Sequence, residues 1–180
     1  RTGRVDRTQH FRAQYALEGG APAWELIVLG GDDLKQLGPE REAIYNAFFH
    51  TGCFQIMDSV PFAGPSAMVG RGTRPSEDPA PGLGMDGLLS GPFIREAALQ
   101  TAGLHAMNRT GHMHLPASIG RCVIHQTVAP GEGFFVRVQH LGETSPQHQG
   151  YKAEVWSEDG SLLQTLDRLE MIDASPLPSG

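Results

Sequence analysis

From Gly91 to Met107 the chain reads GPFIREAALQTAGLHAM, with Phe93, Ile94, Ala97, Ala98, Leu99, Ala102 and Leu104 spread around a helical period. A helix apolar on nearly every side is a buried one. Ser90 offers a cap and Pro92 suits the first turn, so a helix is predicted over 92–107. Elsewhere the period drops to two. His10–Leu17 (HFRAQYAL) places Phe11, Ala13, Tyr15 and Leu17 on one face, the pattern of a strand, and Trp24–Leu29 reads as a second. Pro39–Phe49 (PEREAIYNAFF) reads as a short helix that groups Ile44, Tyr45, Phe48 and Phe49. Phe54–Val60 is a further strand, and a short one lies near Ala67–Gly70 within the glycine- and proline-rich loop 61–92. Four strand-like runs follow the long helix: Ile119–Val128, Gly133–Leu141, Tyr151–Ser157 and Leu162–Ile172. Pro130-Gly131 and Asp159-Gly160 mark the turns between them, the second a good hairpin signal.

One buried helix ahead of consecutive strands is an α+β arrangement, an antiparallel sheet wrapped around one central helix, and not an alternating α/β one. Residues 36–175 form this domain. Residues 1–35 read as the end of a preceding unit or a linker strand, and 176–180 as a tail.

Composition narrows the function classes. The 180 residues suffice for one domain with a sizeable core. Lysine plus arginine number 14 against 20 acidic residues, a net charge of −6 with no basic block, which argues against nucleic acid or an anionic membrane as partner. Two isolated cysteines, Cys53 and Cys122, make neither a metal spacing nor a disulfide framework, so a reducing, cytoplasmic compartment is expected. No apolar run reaches transmembrane length and the polar start is no signal peptide. The chain opens without methionine and reads as a piece of something longer. His112 and His114, in GHMH, have no acid or cysteine beside them, so no metal site is expected there.

The position that demands an explanation is Glu96, an acid inside the apolar helix. Gln100 stands four residues on, on the same face, where its amide can orient the carboxyl group. Backbone N–H groups at the helix start, from Gly91 to Ile94, carry the positive end of the helix dipole. Gly103 reads as a place where helix and sheet pack closely.

Three stretches carry a resemblance. FIREAALQTAG (Phe93–Gly103) resembles the helix motif in which an acid is followed by Ala-Ala-Leu-Gln; YNAFFHTGCFQ (Tyr45–Gln55) is similar to an aromatic segment that opens the second half of the same domains; LPASIGR (Leu115–Arg121) resembles their Leu-Pro-x-Ser-Ile segment. The family is the hotdog-fold dehydratase domain of polyketide and polyunsaturated fatty acid synthases, in its C-terminal half. The resemblance covers about 40–172. It implies removal of water from a 3-hydroxyacyl group, with no cofactor beyond the phosphopantetheine arm of an acyl carrier protein. The implied partners are that carrier protein, neighbouring synthase domains, and a second hotdog in cis or as a homodimer. On this reading Glu96 and Gln100 are catalytic, and Gly91, Phe93 and His50 contact substrate. An acid in an apolar surround keeps its proton more readily, as this chemistry requires.

Two departures qualify the resemblance. Polyketide dehydratases usually carry Asp at the acid position; Glu96 matches the stand-alone hydroxyacyl-carrier dehydratases of fatty acid synthesis. Their histidine lies in a His-x-x-x-Gly-x-x-x-x-Pro motif, and none of the eight histidines (10, 50, 105, 112, 114, 125, 140, 148) has glycine four residues on. The chain therefore reads as the acid half of a His/acid pair, with His50 a packed loop histidine rather than the base. Two other readings stand beside this one. One is a non-catalytic, dehydratase-like structural domain, and the other is a hotdog thioesterase that uses the helix carboxylate without histidine.

Overall fold

The computed structural model describes residues 38–76, 92–145 and 147–174. The strands expected at 10–17 and 24–29, the segments 1–35 and 176–180, and Gly91 lie outside the described residues. In chain order, a short helix α1 (Arg41–Ala47) and a 3-10 turn (Gly52–Phe54) lead into β1 (Met57–Ala63) and β2 (Ala67–Thr73). The long helix α2 (Pro92–Thr110) follows, then β3 (His114–Ile124), β4 (Gly133–Ser145), β5 (His148–Ser157) and β6 (Leu162–Asp173).

The six strands form one antiparallel sheet in the order β1-β2-β4-β5-β6-β3. Helix α2 packs against all six, so the sheet wraps around it as the α+β reading expected. The strand patterns explain why. In β4, Phe134, Val136 and Val138 are fully buried and alternate with Phe135, Arg137 and Gln139, which face the other way. Tyr151, Ala153 and Val155 of β5 and Leu166 and Leu169 of β6 extend the same face. On α2 the small residues Ala97, Ala98, Ala102 and Ala106, all at 0% exposure, let the curved sheet approach the helix axis. Burying each large aliphatic or aromatic side chain of this core contributes about 1.5–3 kcal/mol.

Expectations change at α2 and around β3. Helix α2 runs on to Thr110, three residues beyond its expected end. The strand after it starts at His114, not Ile119; residues 115–118 are exposed and include Pro116, so they lack the alternating pattern. Proline is tolerated there because β3 is the last strand of the sheet and bulges between Pro116 and Ser118. Nor is β3 joined to β4 as a hairpin. It pairs with β6, and the segment 125–132 carries the chain back to β4. The Pro130-Gly131 turn lies within that crossover, tied to the end of β2 by Gly131 N–H to Arg74 C=O at 2.9 Å. The Asp159-Gly160 turn does close the β5–β6 hairpin, with Gly160 at φ +86°.

Candidate active site

One face of α2 is left open by the sheet. Glu96, Leu99, Gln100 and Gly103, spaced at i, i+3, i+4 and i+7, line a cleft of about 350 Å³. Its walls come from the aromatic segment 48–54, from the start of β3 and from Met171 of β6. Most of this lining is apolar; His50 and Gln100 meet Glu96 at one end, and His114 lies near Gly103.

Gln100 organises them. Its side chain is 2% exposed, and both ends of its amide are used. The Phe54 carbonyl can only accept, so the amide nitrogen faces it (2.7 Å) and gives its second hydrogen to Glu96 Oε1 (3.1 Å). The amide oxygen accepts from the Tyr45 hydroxyl at 2.9 Å, and that hydroxyl accepts the Met57 N–H at 2.7 Å. Burial pushes the Tyr45 phenol up to about 12, so it keeps the proton it donates. The orientation of Gln100, and through it of Glu96, is thus anchored to the backbone of the 3-10 turn and of β1.

His50 completes the group. Its Nε2 lies 3.0 Å from Glu96 Oε1, the two side chains being 16% and 23% exposed. The imidazole stacks on Phe49 (4.5 Å, 19°) and tilts against Phe48 (5.3 Å), and the His50 carbonyl accepts from the Gln55 side chain at 3.0 Å. Its Nδ1 is buried with no hydrogen-bond partner among the described residues. Among these residues no hydrogen bond reaches the second carboxylate oxygen of Glu96, Oε2.

The expected site residues therefore separate. Glu96, Gln100 and His50 come together. Phe93 is buried and tilts against Phe54 (6.4 Å, 47°) without lining the cleft, and Gly91 lies outside the described residues. His50 is packed, as expected, and its ring also meets the acid. A motif search cannot see this contact, because it is made by the segment 48–55 folding back over α2. Three other residues were missed. Tyr45 was grouped only with apolar neighbours. His114 lines the cleft, 3% exposed, with Nδ1 donating to the His112 carbonyl at 2.9 Å, which fixes its tautomer. Gly103, read as a packing residue, lies on the cleft floor.

A family model described as "Polyketide synthase dehydratase N-terminal domain" matches residues 42–178. The chain belongs to the polyketide synthase dehydratase family. Comparison with curated proteins finds no match. Among solved structures, this dehydratase-family chain is similar to a trans-AT polyketide synthase dehydratase domain from Brevibacillus brevis, at TM-score 0.66 and 18% identity over 86% of this chain and 54% of that one. It is similar to the dehydratase domain from the CurJ module of curacin polyketide synthase, at TM-score 0.66 and 14% identity over 87% and 54%. Zebrafish thioesterase superfamily member 2 shares the fold at TM-score 0.56 and 11% identity, over 75% of this chain and 95% of that one. The dehydratase-family chain thus spans about half the length of the dehydratase structures and nearly the whole of the zebrafish thioesterase superfamily member.

Proposed function

We propose that this chain is the acid-bearing hotdog of a cytoplasmic polyketide synthase dehydratase, acting on a 3-hydroxyacyl thioester held on the phosphopantetheine arm of an acyl carrier protein. The observation that carries the reading is Glu96, oriented by Gln100 and met by His50, in a mostly apolar cleft. The matched model is described as an N-terminal domain, yet the acid-Ala-Ala-Leu-Gln helix and the missing histidine motif favour the second half.

Dehydration needs a base to take the α-proton while the Cβ–O bond breaks. The C–H electron pair becomes the double bond, and the departing hydroxyl takes a proton from an acid and leaves as water. Glu96 is that acid, through Oε2. His50 Nε2 already faces Oε1 and its Nδ1 is buried, so His50 holds the acid in place, and the base comes from a second hotdog, in cis or in a homodimer. Neighbouring synthase domains would deliver the substrate.

The test is loss of one water from 3-hydroxybutyryl-carrier protein, followed by mass spectrometry with the intact protein. Glu96→Gln should slow it about 10²–10⁴-fold, the usual cost of losing one general acid. An equal rate in the variant removes Glu96 from the mechanism. Release of free hydroxy acid instead of enoyl thioester would establish a thioesterase, the reading favoured by the fold shared with thioesterase superfamily member 2. A folded, intact protein that does neither is a structural domain.

A further inference from the structure

We infer that Gly103 sets how long an acyl chain the cleft accepts, and is therefore a specificity-determining residue; the inference rests on the acyl-thioester reading above. Glu96 and Gly103 are two helical turns apart on the same face, about 10 Å along α2 at the α-helical rise. The reacting carbons belong beside Glu96. The rest of the chain then runs over Leu99 toward Gly103, where the cleft is bounded by Phe48, His114 and Met171.

Glycine at this point is not demanded by the backbone. Gly103 sits in the middle of a 19-residue helix, where glycine is the weakest former after proline, and it has no positive φ. Close packing does not demand it either. A Cβ there would meet the His114 carbonyl oxygen and Phe48 Cζ at 3.4 Å and Met171 Cε at 3.6 Å, all ordinary van der Waals contacts. Gly70 is the contrasting case, since its Cβ would press into Met57 and lie 2.7 Å from Thr101 Oγ1. The three atoms nearest the absent Gly103 side chain belong to residues that line the cleft, so a side chain there would grow into the cleft end. What the glycine provides is room.

The test measures binding of saturated, unreactive acyl-pantetheines from butyryl to decanoyl by titration calorimetry, using the intact protein and its Gly103→Ala and Gly103→Leu variants. In the wild type, affinity should climb about fourfold per added methylene until the cleft is full. Gly103→Leu should stop the climb several carbons earlier than in the wild type, and Gly103→Ala one or two carbons earlier. Should Gly103→Leu fail to fold, Gly103→Ala decides alone, because its Cβ is accommodated. An identical plateau length in wild type and folded variants overturns the assignment, as does absence of any acyl-pantetheine binding by the wild type. The two readings fail separately. Loss of the Glu96-dependent reaction with the chain-length shift intact strikes the chemistry and spares Gly103. A Glu96-dependent reaction with an unshifted chain-length preference does the reverse.

Discussion

Acidification should destabilise this fold through one buried histidine, His105. It is 0% exposed in the middle of α2, and its two nitrogens have fixed roles. The Gly64 carbonyl can only accept, so Nε2 carries the hydrogen and donates across 3.1 Å; Nδ1 then accepts from the Tyr151 hydroxyl, also at 3.1 Å. Burial pushes the Tyr151 phenol up, which keeps that hydroxyl protonated. Both partners thus suit the neutral ring. Protonation would take the acceptor away from Tyr151 and put a charge beside Arg109, one turn on in α2, and 6.0 Å between ring centres from His140 on β4. Burial first, opposed by the Gly64 hydrogen bond and reinforced by these two groups, lowers the His105 pKa from 6.5 to about 4.

The sign follows from proton counting. Between these two values the unfolded chain binds a proton at this site and the folded chain does not, so stability falls as pH falls below 6.5. The full difference corresponds to about 3 kcal/mol, of which about 2 kcal/mol should be lost by pH 5. That is a large fraction of a typical domain's 5–15 kcal/mol. His105→Gln retains a donor for Gly64 and an acceptor for Tyr151 but cannot titrate. Urea denaturation of both proteins at pH 7.5, 6 and 5 isolates the effect, since His140, also held low by burial, and all surface carboxylates are common to both. The wild type should lose about 2 kcal/mol more than the variant between pH 7.5 and 5. Equal losses would refute the reasoning, whatever the variant's baseline stability.

Further predictions concern packing and the support of Glu96. Gly70→Ala should cost about 1–3 kcal/mol in urea denaturation, the usual range for overpacking a tight contact, because its Cβ would meet Met57 and Thr101. Gly103→Ala should be neutral, or stabilising by up to about 1 kcal/mol, because alanine is the better helix former and has space. Finding the two alanine variants equally destabilised would show that Gly103 is a packing residue after all. Tyr45→Phe removes the donor to Gln100 Oε1 and the acceptor for Met57 N–H, and should cost about 1–3 kcal/mol of stability. With Gln100 freed on one side, turnover of a bound 3-hydroxyacyl thioester should also fall with little change in KM, and a stability loss without that fall would limit Tyr45 to the fold.

The sequence made some of this legible and concealed the rest for identifiable reasons. Period alone found α2 and the β4–β5–β6 meander, since burial on one face leaves its mark at every second or every third and fourth residue. It could not place β3 beside β6, because pairing partners are set by where the 125–132 segment returns, and nothing in that segment's composition encodes the direction. The acid was legible because a carboxylate among Ile94, Ala97 and Ala98 has no structural reason to be there. Gln100, one turn on, was legible from its spacing; groups brought in from elsewhere in the chain were not. His105 lies in the same helix as Glu96, yet the partners that fix its tautomer are Gly64 and Tyr151, 41 and 46 positions away in the chain. His50 looked like an ordinary loop histidine for the same reason. A spacing motif records only partners that keep a fixed distance along the chain, whereas His50 reaches Glu96 through the fold of the 48–55 segment. An acid half can therefore carry a histidine on its carboxylate that no family motif announces. In that case the question for experiment is what His50 does for Glu96, since the fold has already put the two side chains 3.0 Å apart.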